Sequence, residues 1–174
     1  MLSPRTIDIE VDREMLLGLH FSATYESGTP WVRSVPFVKA REWWFNTSQV
    51  EEFLSDLTKS LGDSRTVAEV WEDDGSVVAF VWVTFTDIIN YNLTFAEVLD
   101  IAVIPEYQQR GIGTTIMTYV EQLASERGAN VLRSGTGIEN TASRNLHDKL
   151  GFQTIHLQYE KILRGVDVWH KEVQ

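Results

Sequence analysis

Residues 98–117, VLDIAVIPEYQQRGIGTTIM, constrain the fold more than any other stretch. A run of β-formers ends at Pro105 and a short polar turn follows. After Gln108-Gln109-Arg110-Gly111-Ile112-Gly113 the apolar residues recur at helical spacing. The pattern predicts a strand, a glycine-bearing loop and a helix, with the loop at the helix N-terminus. The first turn of a helix leaves its N–H groups without intrahelical acceptors, and the peptide dipoles add about half a positive charge there. Such a junction suits a phosphate, and a pyrophosphate first of all. Two common phosphate signatures do not fit. A dinucleotide fingerprint needs a third glycine where Ile116 stands, and a P-loop needs a Lys that Gly113-Thr114-Thr115 lacks. Taken alone, G-x-G reads first as a tight turn with glycine there for backbone reasons.

The chain has 174 residues, which predicts one domain with a core large enough to need no staples. It contains no Cys, so disulfides, thiolate zinc sites and a Cys nucleophile are excluded, and no metal is expected. The N-terminus lacks a signal-peptide pattern and no apolar run approaches the ~20 residues of a membrane span, so the expected location is cytoplasmic, with no membrane partner. The formal charge is −10, with 15 Lys and Arg against 25 Asp and Glu. A nucleic-acid partner is therefore not expected, and a cationic small substrate would be drawn in. Solubility alone is the other reading of this acidity.

Residues 6–11 (TIDIEV) alternate and read as a strand. Residues 12–26 suit a helix, and 28–45, rich in Pro and Trp, resist assignment. Ser48 with Glu51 reads as a capping box for a helix ending at Gly62. Asp73-Asp74-Gly75 between two β-rich runs predicts a hairpin. Residues 87–93 read as a loop, 94–104 as a long strand, 111–127 as a helix and 130–134 as a strand. A last helix covers about 141–150, and strand character returns from Phe152 and again near Val166 to Trp169. The order predicts a mixed α/β domain around one sheet.

Two segments together carry a family resemblance. Gln108-x-x-Gly111-x-Gly113 after a strand and Pro105 resembles the acetyl-CoA signature of the GCN5-related N-acetyltransferase (GNAT) superfamily. Downstream, Asn140, Ser143, His147, Lys149, Leu150, Gly151 and Phe152 match the spacing of that superfamily's Asn, Ala, Tyr, Lys, Leu, Gly and Phe. The resemblance implies the acyl-CoA N-acyltransferase fold, a mixed central sheet of about six to seven strands flanked by about four helices. It implies a splayed strand pair that holds the coenzyme. It divides the single domain 1–174 into a variable acceptor side, 1–65, and a coenzyme-binding core, 66–165. It implies acetyl-CoA as co-substrate and an amine of a small molecule or peptide as acceptor. Many similar enzymes dimerise, and the C-terminal strands could pair with a second chain.

The resemblance also assigns site residues. Backbone N–H groups from Gln108, Gln109, Arg110, Gly111, Ile112, Gly113 and Thr114 would hold the pyrophosphate, and Arg110 could add a charge-assisted bond. Ile101, Ala102 and Val103 would pair with the pantetheine arm like an added strand. Asn140 reads as an N-cap and, by resemblance, also as a hydrogen-bond partner of the arm.

Alkyl amines titrate near about pH 10, so a base must take a proton. Glu97 resembles the base glutamate of histone-acetylating members. Asp100, three residues on, would face the other way unless a bulge intervenes, and Asp87 and Glu69 are weaker candidates. His147 stands where the family has the Tyr that protonates the leaving thiolate. A charged imidazole can take that role; otherwise water does. Positioning alone supplies much of the rate, since effective molarities reach about 10⁵ M. Trp31, Trp43, Trp44 and Tyr91 either line an acceptor pocket or belong to the core. A non-catalytic acyl-CoA sensor or interaction module is the alternative to an enzyme.

Overall fold

The computed structural model describes residues 1–161. The chain runs β1 (Ser3–Thr6), α1 (Ile9–Glu26), α2 (Pro30–Arg33), α3 (Phe37–Phe45), α4 (Gln49–Leu61), β2 (Thr66–Asp73), β3 (Ser76–Ile88), β4 (Leu93–Val103), α5 (Ile112–Glu126), β5 (Val131–Ser134) and α6 (Thr141–Lys149). One sheet has the order β1-β2-β3-β4-β5. The first four strands pair antiparallel, and β5 joins β4 in parallel. The expected α/β class and mixed sheet hold. Among the described residues there are five strands rather than six or seven, and six helices rather than four.

Two cores sandwich the sheet. On one face Leu16, Phe21, Trp44, Phe53 and Leu57 pack against Phe80 and Trp82. On the other, Ile116, Met117 and Val120 of α5 pack against Val81, Val83 and Val98. β3 serves both because successive side chains point to opposite faces. That double burial explains its unbroken apolar run, SVVAFVWVTF. Each fully buried side chain such as Phe80 or Ile116 contributes roughly 1.5–3 kcal/mol.

The structure corrects several expectations. The alternating stretch 6–11 is not a strand, because Asp8 starts a helix inside it. The Asp8 carboxylate accepts from the N–H groups of Glu10 at 3.0 Å and Val11 at 3.4 Å. Asp12 reaches back to the N–H of Asp8 at 2.9 Å. The Ser48–Glu51 capping box does not form; Ser48 has helical dihedrals and its side chain caps nothing. Thr47 Oγ1 instead accepts from the Gln49 N–H at 3.4 Å. The loop expected at 87–93 shrinks to one turn, Ile89–Tyr91, because β3 runs on to Ile88.

Residues 28–45, unassigned from sequence, fold as α2 and α3. Phe152 does not begin a strand: residues 152–161 have no ladder partner among the described residues, and Ile155, Leu157 and Tyr159 are exposed. The strand expected at Val166 to Trp169, and the end of the 66–165 core, lie outside the described residues.

Arg5 ties β1, α1 and β2 together. Its Nη1 and Nη2 donate to the two Asp12 oxygens at 2.7 and 2.8 Å, and its Nε to Glu72 at 2.6 Å. The Asp12 side chain is only 3% exposed. The Arg5 hydrogen bonds hold its carboxyl below the ordinary value of 3.8, against the opposing push of burial. A lowered folded value means the stabilisation is complete above the ordinary carboxylate range. It is lost as pH falls through the lowered value. Arg5→Ala should therefore cost about 2 kcal/mol in urea unfolding at neutral pH, the range for hydrogen bonds to a buried charge. The deficit should shrink as Asp12 protonates. A deficit constant with pH would show that the charge is not its cause.

Candidate active site

β4 keeps its ladder to β3 as far as the pair Ala79–Val103. Its parallel ladder to β5 stops at Val98–Ser134. From Leu99 onward β4 therefore has a strand on one edge only among the described residues. Such an edge carries backbone N–H and C=O groups that need partners. The Val103 carbonyl has one, since Gln108 Nε2 donates to it at 3.0 Å.

The loop after β4 turns through two left-handed residues, Gln109 at φ 59° and Gly111 at φ 85°. Gly111 is the N-cap of α5, and no side chain caps that end. Thr115 is the first residue of α5 whose N–H finds an intrahelical acceptor, the Gly111 carbonyl at 3.0 Å. The N–H groups of Ile112, Gly113 and Thr114 have no such acceptor, as expected of a first turn. The Ile112 side chain is buried, so that residue offers only backbone. Arg110 lies 4.8 Å above the Tyr107 ring. A Cβ on Gly113 would meet Leu146 Cδ2 at 3.4 Å, so α6 abuts the start of α5.

On α6, Asn140 is the N-cap and accepts from the Ser143 N–H at 3.0 Å. His147 Nδ1 lies 2.7 Å from the Ser143 carbonyl, which can only accept, so Nδ1 carries the hydrogen. His147 Nε2 is buried without a partner among the described residues. The ring meets Phe152 edge-on at 5.0 Å.

The two β4 carboxylates share a face. Trp82 pairs with Asp100 and Val83 with Val98, so Leu99 is an extra residue in the ladder. This bulge shifts the alternation by one and puts Asp100 on the same side as Glu97. Glu97 is exposed, opposite Arg133 of β5. The Asp100 side chain is 9% exposed and meets His20 Nδ1 of α1 at 2.6 Å. Burial pushes the Asp100 carboxyl above its ordinary value, and the His20 hydrogen bond pulls it partly back.

His20 stacks on Phe53 at 4.0 Å and lies 5.7 Å from Trp44. These residues, with Trp82, Glu52 and Asp56, line an open cleft of about 310 Å³. Sequence reasoning missed His20; its only signal, a His on an amphipathic helix, is too common to single out.

The other carboxylates are engaged elsewhere. Asp87 binds Arg65 at 2.9 Å and accepts from Thr94 at 2.9 Å. Glu69 lies under α5, where Tyr119 donates to it at 3.2 Å. Burial raises Glu69, and burial beside Glu69 pushes Tyr119 up to about 12. Of the four aromatic candidates Trp44 lines the cleft, Tyr91 is exposed, and Trp31 donates to Glu160 at 3.3 Å. Trp43 is 38% exposed. Among the described residues no helix is long and apolar enough to cross a membrane, and no three His, Cys, Asp or Glu side chains converge as metal ligands.

The sequence model of the acetyltransferase (GNAT) family matches residues 28–152. An uncharacterized N-acetyltransferase of Methanocaldococcus jannaschii is 32% identical over 85 residues, which are 48% of this chain and 38% of that protein. Aminoglycoside N(6')-acetyltransferase type 1 of Salmonella typhimurium is 34% identical over 53 residues, 30% of this chain and 37% of that protein. The chain thus spans well under half the length of the curated relatives it matches. The solved structure of AAC(6')-Iy with the bisubstrate analog CoA-S-monomethyl-acetylneamine superposes with a TM-score of 0.65 at 20% identity, over 93% of this chain and 99% of that one. That likeness concerns the fold.

The two glycines of the loop differ in what they do for folding. Gly111 needs its positive φ, so Gly111→Ala should cost about 1 kcal/mol in urea unfolding. Gly113 has an ordinary φ and faces only the mobile end of Leu146. Gly113→Ala should stay within about 0.5 kcal/mol of the parent. Equal losses at both sites would contradict this division.

Proposed function

We propose that this chain, which belongs to the acetyltransferase (GNAT) family, moves the acetyl group of acetyl-CoA onto a primary amine of a small cationic molecule by direct attack. One observation carries the reading. The uncapped start of α5 stands at the end of the same strand whose outer edge loses its partner after Val98. A diphosphate and an extended amide-bearing arm together satisfy both sets of groups.

In this reading the backbone from Gln108 to Thr114 holds the diphosphate. Arg110 swings from Tyr107 to a phosphate oxygen. The open edge at Ile101, Ala102 and Val103 takes the pantetheine arm as an added strand. Asn140 keeps its cap through Oδ1 and turns its amide hydrogens to the arm. The charge of −10 and the carboxylates Glu52 and Asp56 in the cleft favour a cationic acceptor. The aminoglycoside acetyltransferase among the relatives agrees with that class.

Glu97, exposed on β4 between Thr84 and Arg133, passes the released proton to water. His147 protonates the sulfur. With hydrogen on Nδ1, its Nε2 can donate only as imidazolium.

Calorimetry should give a micromolar-range Kd for acetyl-CoA, about −8 kcal/mol. Gly113→Ala should weaken it about tenfold by crowding the phosphates, about 1.4 kcal/mol. No heat at millimolar acetyl-CoA would end the reading. Thiol release should be seen with at least one of spermidine, neamine or a lysine peptide. His147→Phe should lower kcat about tenfold, the mild side of acid catalysis because thiolates leave readily. Tight coenzyme binding with no turnover would mark a sensor.

A further inference from the structure

We propose that His20, held by Asp100, is the catalytic base that takes the proton from the acceptor amine. The inference rests on the acetyltransferase reading and adds a residue from the acceptor-side half of the chain.

Position comes first. In that reading the arm leaves the phosphate loop and runs back along β4 past Val103, Ala102 and Ile101. Its thioester end then lies toward Leu99 and Asp100. Asp100 is two residues beyond the last β4–β5 pair and, because of the bulge, faces α1. His20 Nδ1 meets it at 2.6 Å. The dyad therefore stands where the reacting carbon must sit.

Chemistry follows. An imidazole nitrogen this close to a carboxylate oxygen donates its hydrogen to it, which leaves the lone pair on Nε2. The Asp100 contact and the stacking on Phe53 fix the plane of the ring. Nε2 makes no hydrogen bond among the described residues, and His20 lines the cleft. A second sign of a ligand is the indole N–H of Trp82. That residue is 9% exposed, lines the same cleft, and its Nε1 has no partner among the described residues.

The charged groups facing His20 are Asp100 from β4 and Glu52 and Asp56 from α4. α3 and β3 bring only the uncharged Trp44 and Trp82. An ammonium group is drawn to such a site, and once there it must lose a proton to react.

The step balances. An N–H bond of the ammonium breaks as Nε2–H forms. The freed lone pair makes the N–C bond to the thioester carbon, and the C–S bond breaks. The nitrogen gives up a second proton, and the sulfur gains one through His147 or water. The products are an amide, a thiol and one proton, which leaves His20 for water past the exposed Glu97.

The test compares His20→Asn, His20→Gln and Asp100→Asn with the parent in thiol-release kinetics, using spermidine, neamine and a lysine peptide as probes. Asn at position 20 keeps a donor for Asp100 and removes Nε2, so it separates the base from the anchor. Both His20 variants should lose about 100-fold in kcat/KM at neutral pH, a usual size for a lost base. They should bind acetyl-CoA as the parent does in calorimetry and keep its unfolding midpoint. The acid limb of the parent's pH profile should give way in both to a rise over the higher range where the amine itself loses its proton. Added imidazole should restore part of the rate. Asp100 is a positioning residue, so Asp100→Asn should lower kcat more than it raises KM and should shift the limb rather than abolish it. Unchanged kcat/KM with the acid limb intact in both folded His20 variants would overturn the proposal. A parent that fails to bind acetyl-CoA or to turn over any probe would instead overturn the underlying reading, and this one with it.

Discussion

One constraint organises the molecule: β4 must satisfy its backbone on both edges, yet β5 accompanies it only from Phe95 to Val98. Inside a sheet an unpartnered edge is costly unless water or a ligand fills it. Here the opening lies between covered faces, with α1 on one side and α5 on the other. The chain does not close the gap with a further strand among its described residues. It ends the gap at the uncapped start of α5, so that a strand-like need and an anion-like need meet at one place. A ligand with a charged head and an amide-rich tail answers both.

The distribution of charge follows the same logic. In the proposed reading the anion is held by backbone dipoles and one exposed Arg, an arrangement that suits an acidic protein without a basic patch. Glu52 and Asp56 of α4 line the cleft beside His20, and Glu97 and Asp100 of β4 face the same side of the sheet. Two carboxylates of similar type thus behave differently. Asp12 is buried but fully paired by Arg5, and its acid form is disfavoured. Asp100 is buried beside a single imidazole, and its acid form gains. Desolvation is common to both, and the partner decides the sign.

What the sequence revealed was what is local. The strand, loop and helix of 98–117 could be read because each signal lies within a few residues of the element it specifies. So could the Asp-Gly hairpin, the α5 core face and the Asn140 cap. Errors arose where two local signals competed. In TIDIEV the alternation suggested a strand, but Asp8 and Asp12 together satisfy the first helical amides, and the side-chain oxygens won. At residue 48 a serine with a glutamate three residues on met the pattern, yet Ser48 already has helical dihedrals and Thr47 accepts from the Gln49 N–H instead. The His20–Asp100 contact was invisible because its partners lie 80 residues apart and meet only through tertiary packing. The strand expected after Phe152 has the right composition, but composition does not supply a neighbouring strand.

The unpaired Leu99 shows how small a departure from regular pairing decides which surface a side chain meets. Were that residue to take an ordinary place in the ladder, strict in-and-out order would run the length of β4. Every side chain on one flank of it would then swap surfaces, carrying Asp100 away from the helix that grips it or Glu97 away from the rim. A point substitution changes one group; a one-residue slip in pairing here rewires the parity of a whole strand. Deleting Leu99 outright, by contrast, would leave Val98 opposite Val83 and Asp100 opposite Trp82, so every face would stay as it is. What this segment holds fixed is the pairing on either side of the bulge, and not the identity of the residue left out of it.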